Sequence, residues 1–360
     1  MMPLTDQQIA ELNTPSVVVD LDIASKNIAR FQELADRHGL NVRPHIKTHK
    51  LPAIAEMQLA AGAIGITCQK VSEAEAMVAG SEAIKDVLIT YNIVGETKLQ
   101  HLRALSEKVR LSVVADSEYV ARGLSDAFAD AETPLTVLVE CDTGANRCGV
   151  STPQAAEALA VSIHEAAGLV FGGLMTYPAP NGEAAVQSFM TEAKRLIEAR
   201  GLSVPAITSG GTPSMMHLAE APVVTEYRPG TYVYNDRSLV SRGVCAWEDC
   251  ALNVIATVVS VPAENRAIID AGSKALTSDL FGLTGYGHVL GRDDIVIDQL
   301  SEEHGRLVSA GPIGLKVGDK LRIVPNHACV VTNMVDSLTV ISEGREQPEV
   351  WPVAARGLIV

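Results

Sequence analysis

Leu111-Ser-Val-Val-Ala115, Leu135-Thr-Val-Leu-Val-Glu140 and Gly172-Gly-Leu-Met-Thr-Tyr177 are short apolar runs separated by stretches of helical spacing. That alternation decides the fold. Runs of this length between turn residues read as strands buried on both faces. The intervening segments Ser117–Ala131 and Pro153–Ala167 begin with helix caps, Ser117 itself and Thr152 ahead of Pro153. Upstream, strands are expected at Val42–His45, Ile64–Cys68 and Val87–Thr90, and downstream at Ala206–Ser209 and Glu226–Tyr232. Helices are expected at Ser72–Ala79 (capped by Ser72-Glu-Ala-Glu75), Thr97–Val109 and Glu183–Arg200, with Pro213–Ala221 the weakest. A strand at Ser16–Asp20 and a helix from Asp22 to His38, stopped at Gly39, precede the series.

Eight strands alternating with helices over roughly 200 residues read as an α/β protein with a (β/α)8 TIM barrel. A doubly wound open sheet gives the same alternation, but no Gly-x-Gly-x-x-Gly follows the first strand. After Arg242 the texture turns to β: Leu252–Val261, Arg266–Asp270, Lys320–Val324 and Ser337–Ser342. The expected division is a barrel over residues 23–242 and a C-terminal all-β domain over 243–360, joined by residues 1–22.

Of the 360 residues 47% are apolar, ample for a large core, and the net charge is −14 without any long Lys/Arg cluster. That balance argues against nucleic acid and against anionic membrane surfaces. No segment has the length of a membrane span or the pattern of a signal peptide. The six cysteines lack disulfide or zinc-finger spacing, which fits a reducing cytoplasm.

Within this acidic chain, Arg43-Pro-His-Ile-Lys-Thr-His-Lys50 stands out. As a strand it places Arg43, His45, Lys47 and His49 on one face, either a solvated basic edge or a site for an anion. Barrel sites lie at the C-terminal ends of strands, with phosphate often held after strands seven and eight. Lys47 ends strand one, Asp142-Thr-Gly-Ala-Asn-Arg147-Cys-Gly149 follows strand five, Ser209-Gly-Gly-Thr212 follows strand seven, and Arg228-Pro-Gly-Thr231 ends strand eight. A lysine facing two glycine loops suits a phosphate-bearing carbonyl compound held as a Schiff base, and pyridoxal phosphate (PLP) is the obvious one. His45 and His49 either tune Lys47 or pack. Near the C-terminus, His327 and Cys329 share a face if the segment is extended; they are either a zinc-preferring pair or a core cysteine beside a satisfied histidine.

These motifs, with Thr143–Val150 and Arg228-Pro-Gly-Thr-Tyr-Val-Tyr-Asn-Asp236, resemble fold-type III PLP enzymes of the alanine-racemase type. Arg43–Lys50, Cys68-Gln-Lys-Val-Ser-Glu-Ala-Glu75, Asp270-Ala-Gly-Ser-Lys274, Glu303-His-Gly305 and Pro325-Asn-His-Ala-Cys329 look like the D-threonine aldolase/D-serine dehydratase group. The resemblance implies Lys47 as the Schiff-base lysine and Arg147 on the cofactor's phenolic oxygen. Tyr177 would line the cofactor, and Ser209, Gly210, Gly211, Gly230 and Thr231 would hold its phosphate. Arg228 either faces the pyridine nitrogen or makes a structural ion pair. His327 and Cys329 would hold a divalent metal, zinc ahead of manganese or magnesium. Glu303 and His304 either support the metal or stabilise a turn.

The implied enzyme is a metal-dependent lyase for small D-β-hydroxy-α-amino acids, working as a homodimer. Aldolases of the group carry aspartate at the position of Cys329, and eukaryotic-type D-serine dehydratases carry cysteine. This puts dehydration of D-serine or D-threonine ahead of retro-aldol cleavage to glycine and an aldehyde, 3-hydroxy-D-aspartate-type substrates included. A racemase without metal and a non-enzymatic PLP carrier rank lower; such carriers lack the β domain.

Overall fold

The computed structural model describes residues 9, 11–343, 345 and 347–360. They divide into two units, one of residues 30–47, 52–230 and 358–360, the other of the described residues up to 29 with 48–51 and 231–357.

Strand β1 (Ser16–Asp20) leads into helix α1 (Leu21–Arg37), whose first turn is capped by the Asp20 carboxylate accepting from the Asp22 and Ile23 amides at 3.0 and 3.1 Å. The first large unit then follows as a parallel sheet of β2 (Asn41–Val42), β3 (Ile66–Cys68), β4 (Asp86–Asn92), β5 (Arg110–Ala115), β6 (Leu135–Cys141), β7 (Leu169–Thr176), β8 (Ile207–Ser209) and β9 (Glu226–Tyr227). Every neighbour pairs in parallel, β9 pairs with β2, and a bridge between His45 and Thr67 closes the ring. The protein is therefore a (β/α)8 barrel, not an open sheet.

Period-two alternation sorts the barrel interior into layers. Leu88, Val114, Leu138 and Met175 form a buried apolar cluster across four adjacent strands. Asp86, two residues before Leu88, and Glu226 of β9 are bridged by Arg43, with Nε of Arg43 3.0 Å from Glu226. Two residues toward the strand ends come Asp116 and Glu140, and Arg228 lies one step above Glu226. The barrel thus has an ionic floor, an apolar middle and a polar mouth.

The expected single basic face does not form. The chain leaves strand geometry after His45 and makes a 3-10 turn at Ile46–Thr48, and Lys50 takes φ +55°. Arg43 is committed to the floor, His45 bonds Gln69 (Nε2 to Oε1, 3.1 Å), and the His49 ring packs edge-on against Tyr234. Strand eight also stops early, at Tyr227. Pro229 has no amide hydrogen to donate to a ladder, and residues 231–233 turn. The helix over Val71–Gly80 starts after Lys70, so Ser72 is inside it; Glu73 reaches back to accept from the Gln69 amide at 2.6 Å. Ser117 and Thr152 do cap their helices. Pro213–Ala221 is a 3-10 turn over Thr212–Glu220.

Among the described residues the second unit is a nine-stranded sheet of β1 with β10 (Leu252–Ala263), β11 (Arg266–Ile269), β12 (His288–Val289), β13 (Ile295–Leu300), β14 (Gly305–Ser309), β15 (Lys320–Val324), β16 (Ser337–Ile341) and β17 (Glu349–Pro352). Its long strand β10 pairs antiparallel with β1, with β11 and with β15. β1 is central: on its other edge it runs parallel to β16. Val18, Ile255 and Ile341 from these three strands form a buried cluster.

Candidate active site

At the barrel mouth, four loops place the expected cofactor residues. Lys47 is half-buried in the 3-10 turn, its amide 3.4 Å from Nδ1 of His45. The loop after β6 carries Arg147, whose guanidinium lies 4.9 Å from the centre of the Tyr177 ring, a residue of the loop after β7. The loops after β8 and β9 are tied together. The Arg228 amide donates to Ser209 O at 3.0 Å, the Gly230 amide to Thr212 Oγ1 at 3.2 Å, and the Tyr227 hydroxyl to Gly211 O at 3.1 Å.

The glycines are required by this geometry. Gly210 has φ +95°, and a Cβ there would sit 2.3 Å from the Tyr227 ring; one on Gly211 would meet Tyr177 at 3.1 Å. Such a bare-backbone loop at the ends of strands seven and eight is a fit for a phosphate group.

Arg228 is fully enclosed. Its Nε donates to Thr208 Oγ1 at 2.8 Å and its Nη2 to Thr176 O at 2.5 Å, so both hydrogen bonds go to neutral acceptors. Burial pulls its pKa down to about 10, with Glu226 and Glu140 opposing that shift. No ion pair of Arg228 appears among the described residues within 4 Å.

In the second unit, His327 and Cys329 do not lie on an extended segment. His327 is the residue before helix Ala328–Met334, and Cys329 lies in that helix's first turn. They still act on one another, for Cys329 is among the groups that raise the His327 imidazole. Nδ1 of His327 is held 2.8 Å from Oδ2 of the fully buried Asp236, which also accepts from the Ala328 amide at 3.1 Å. Burial works against the imidazolium, but Cys329 and Asp236 outweigh it and hold His327 at about 10. Cys329 Sγ lies 3.1 Å from the Thr48 hydroxyl and 3.7 Å from that of Thr231. Thr48 follows Lys47 in the chain and Thr231 follows Gly230.

A histidine whose Nδ1 is held by a carboxylate, with a thiol two residues further on, has the donor chemistry of a metal ligand and its support. Tyr234, in the same surroundings, keeps a buried hydroxyl that has no hydrogen-bond partner among the described residues. Both observations fit a metal ion. Among the described residues no group of three His, Cys, Asp or Glu side chains converges, so the protein offers two donors here. Glu303 and His304 belong to the exposed turn between strands Ile295–Leu300 and Gly305–Ser309, where Glu303 bonds Lys274 at 2.6 Å.

Several site residues were not foreseen. Asp236 closes the quoted 228–236 motif, and only its position in that motif singles it out. Glu140, Asn92 and Asp116 have a readable signal, since each is a polar residue at the end of an otherwise apolar strand. The Asn92 amide nitrogen donates to Glu140 Oε2 at 3.2 Å, and its oxygen accepts from the Asp116 amide at 3.1 Å. Burial, and then Asp116, push the Glu140 carboxyl above its usual range; Arg147 and Arg228 pull the other way.

A closed barrel with a lysine at the end of its first strand, glycine loops at its seventh and eighth, and a β-rich second unit define the fold-type III class. Residues 19–238 match the alanine racemase N-terminal domain and residues 251–341 the serine dehydratase domain. D-threonine aldolase of Arthrobacter sp. is 36% identical over 369 residues, spanning 97% of this chain and 94% of the relative. The crystal structure of D-threonine aldolase from Filomicrobium marinum superposes with a TM-score of 0.89 at 33% identity, covering 98% of both chains. D-threo-3-hydroxyaspartate dehydratase from Delftia sp. HT23 gives 0.87 at 30% identity, covering 96% of this chain and 98% of that one. A cysteine-to-alanine variant of that dehydratase has been solved in a metal-free form. The chain belongs to this family of alanine-racemase-type barrels joined to a serine dehydratase domain. By that membership it is a PLP-dependent lyase, and a metal is the second cofactor the family implies.

Proposed function

We propose that the protein removes water from D-β-hydroxy-α-amino acids, D-serine and D-threonine first among them, giving a 2-oxo acid and ammonia. The observation that carries this reading is His327 beside Cys329 and braced by Asp236, a soft donor pair suited to zinc ahead of manganese or magnesium.

When bound, PLP supplies an electron sink for charge developing at Cα, and a divalent metal supplies a Lewis acid for the β-hydroxyl. The chain's own groups do the rest. Lys47 holds the cofactor and takes the α-proton on its amine. Ser209, Gly210, Gly211, Gly230 and Thr231 bind the phosphate through hydroxyls and backbone amides. Arg147 would contact the phenolic oxygen, Tyr177 would line the cofactor, and Arg228 would serve the pyridine nitrogen. That Arg228 bonds only neutral acceptors supports this role over an ion pair. His327 and Cys329 would hold the metal, with Asp236 fixing the imidazole through Nδ1. Among the described residues no helix is long and apolar enough to cross a membrane. The reading includes a cytoplasmic homodimer, tested by its mass in solution.

Retro-aldol cleavage is the second reading, favoured by the 36% identity to an aldolase. Incubating the PLP- and zinc-loaded protein with D-threonine separates the two. The proposal expects 2-oxobutanoate with ammonia in equal amounts. Glycine with acetaldehyde would replace it by the aldolase reading, and no product from D-threonine, D-serine or 3-hydroxy-D-aspartate would overturn both.

A further inference from the structure

We propose that Glu140 is a positioning residue whose carboxylate balances the charge of the Arg147 and Arg228 guanidinium groups, anchors the loop that carries Arg147, and so sets the charge felt by the cofactor ring. This rests on the reading of the barrel mouth as the PLP site.

Leu138 belongs to the apolar layer inside the barrel, and side chains two apart on a strand share a face. Glu140 therefore points inward, one layer higher, and is 4% exposed. A carboxylate in such a place is costly unless something there requires its charge. Arginine cannot shed its proton, so two guanidinium groups at one barrel mouth need anionic neighbours. Glu226, from the layer below, and Glu140 both act on Arg228, and Asp116 lies beside Glu140; Arg147 and Arg228 are the cations acting on Glu140.

The backbone ties the same residues together. Val150 N donates to Glu140 O at 2.9 Å, and Gly149 N to Asp116 Oδ2 at 3.2 Å. The loop bearing Arg147 is thus anchored at its far end on the two acidic residues. Asn92 links them from the next strands, one hydrogen bond to each. Glu140 is placed to hold that loop and to offset its arginine at once.

The test is the pH dependence of the visible absorbance of the PLP-loaded protein, in wild type, Glu140→Gln and Glu140→Asp. Removing a negative charge near a cationic cofactor nitrogen disfavours the protonated form. Glu140→Gln should therefore move the midpoint down by about one pH unit. Glu140→Asp keeps the charge and should move it by less than half as much, and it carries the test if the glutamine variant does not fold. A midpoint that stays at the wild-type value in both variants, or one that rises, overturns the inference. A wild-type protein that gains no visible band on adding PLP overturns the cofactor reading and this one with it.

Discussion

Asp236 serves four partners with two oxygens. Oδ1 accepts from the Ser238 hydroxyl at 2.6 Å and caps the helix Arg237–Ser241 through the Leu239 amide at 3.2 Å; Oδ2 takes His327 and the Ala328 amide. One carboxylate thus fixes two helix starts and the orientation of the histidine read as a metal ligand. Asp236→Asn should keep the cap, since asparagine caps as well as aspartate, yet lose the charge on Nδ1. The expected outcome is a 10–100-fold weaker hold on zinc, measured by competition with a chelator. Retention equal to wild type would reduce Asp236 to a helix cap. The charge at His327 is invisible in a linear reading because Asp236 lies 91 positions away. The same is true of Arg43, whose partners Asp86 and Glu226 come from other strands. Ranking residues by local charge grouped Arg43 with Lys47, whereas the fold sends the first to the floor and leaves the second in the turn near the mouth.

At the level of elements, the barrel was legible because each strand is a short apolar run and each helix a longer periodic one. The ends were not. The alternation of residues 43–49 suits a shared strand face, but a 3-10 turn replaces the ladder once the closing bridge at His45 is made. The helix Val71–Gly80 makes the point for caps. Ser72 has the right chemistry two residues too late, and Glu73 supplies the acceptor for the Gln69 amide instead. Glu73 is almost wholly buried, so Glu73→Ala should cost about 1–2 kcal/mol in denaturant unfolding. Ser72→Ala should stay within about 0.5 kcal/mol of wild type. Equal losses would mean that Ser72 is a cap after all.

For the whole molecule, two contact units are threaded through one another along the chain, with residues 48–51 returning to the second unit from within the first. The β-rich texture after Arg242 announced the second sheet, but nothing local in Ser16–Asp20 tells which strands it joins. Its register is fixed by partners more than 230 positions downstream, Ser16 with Ile255 and Val18 with Thr339. That pairing has a consequence for the order of folding. β1 is made before the barrel strands, yet its two edges are satisfied only by β10 and β16, which are made after them. All eight barrel strands can pair meanwhile, since each partner is already present. Contacts of such long separation are slow to form, and an unpaired apolar strand is open to wrong partners while it waits. In pulse-labelled hydrogen exchange during refolding, the amides of Val17–Val19 should gain protection after those of Val113, Val137 and Leu174. Protection of β1 ahead of the barrel would show that it finds its place early. A strand that precedes the barrel is then built in after it, because β16 lies more than 300 positions further along the chain.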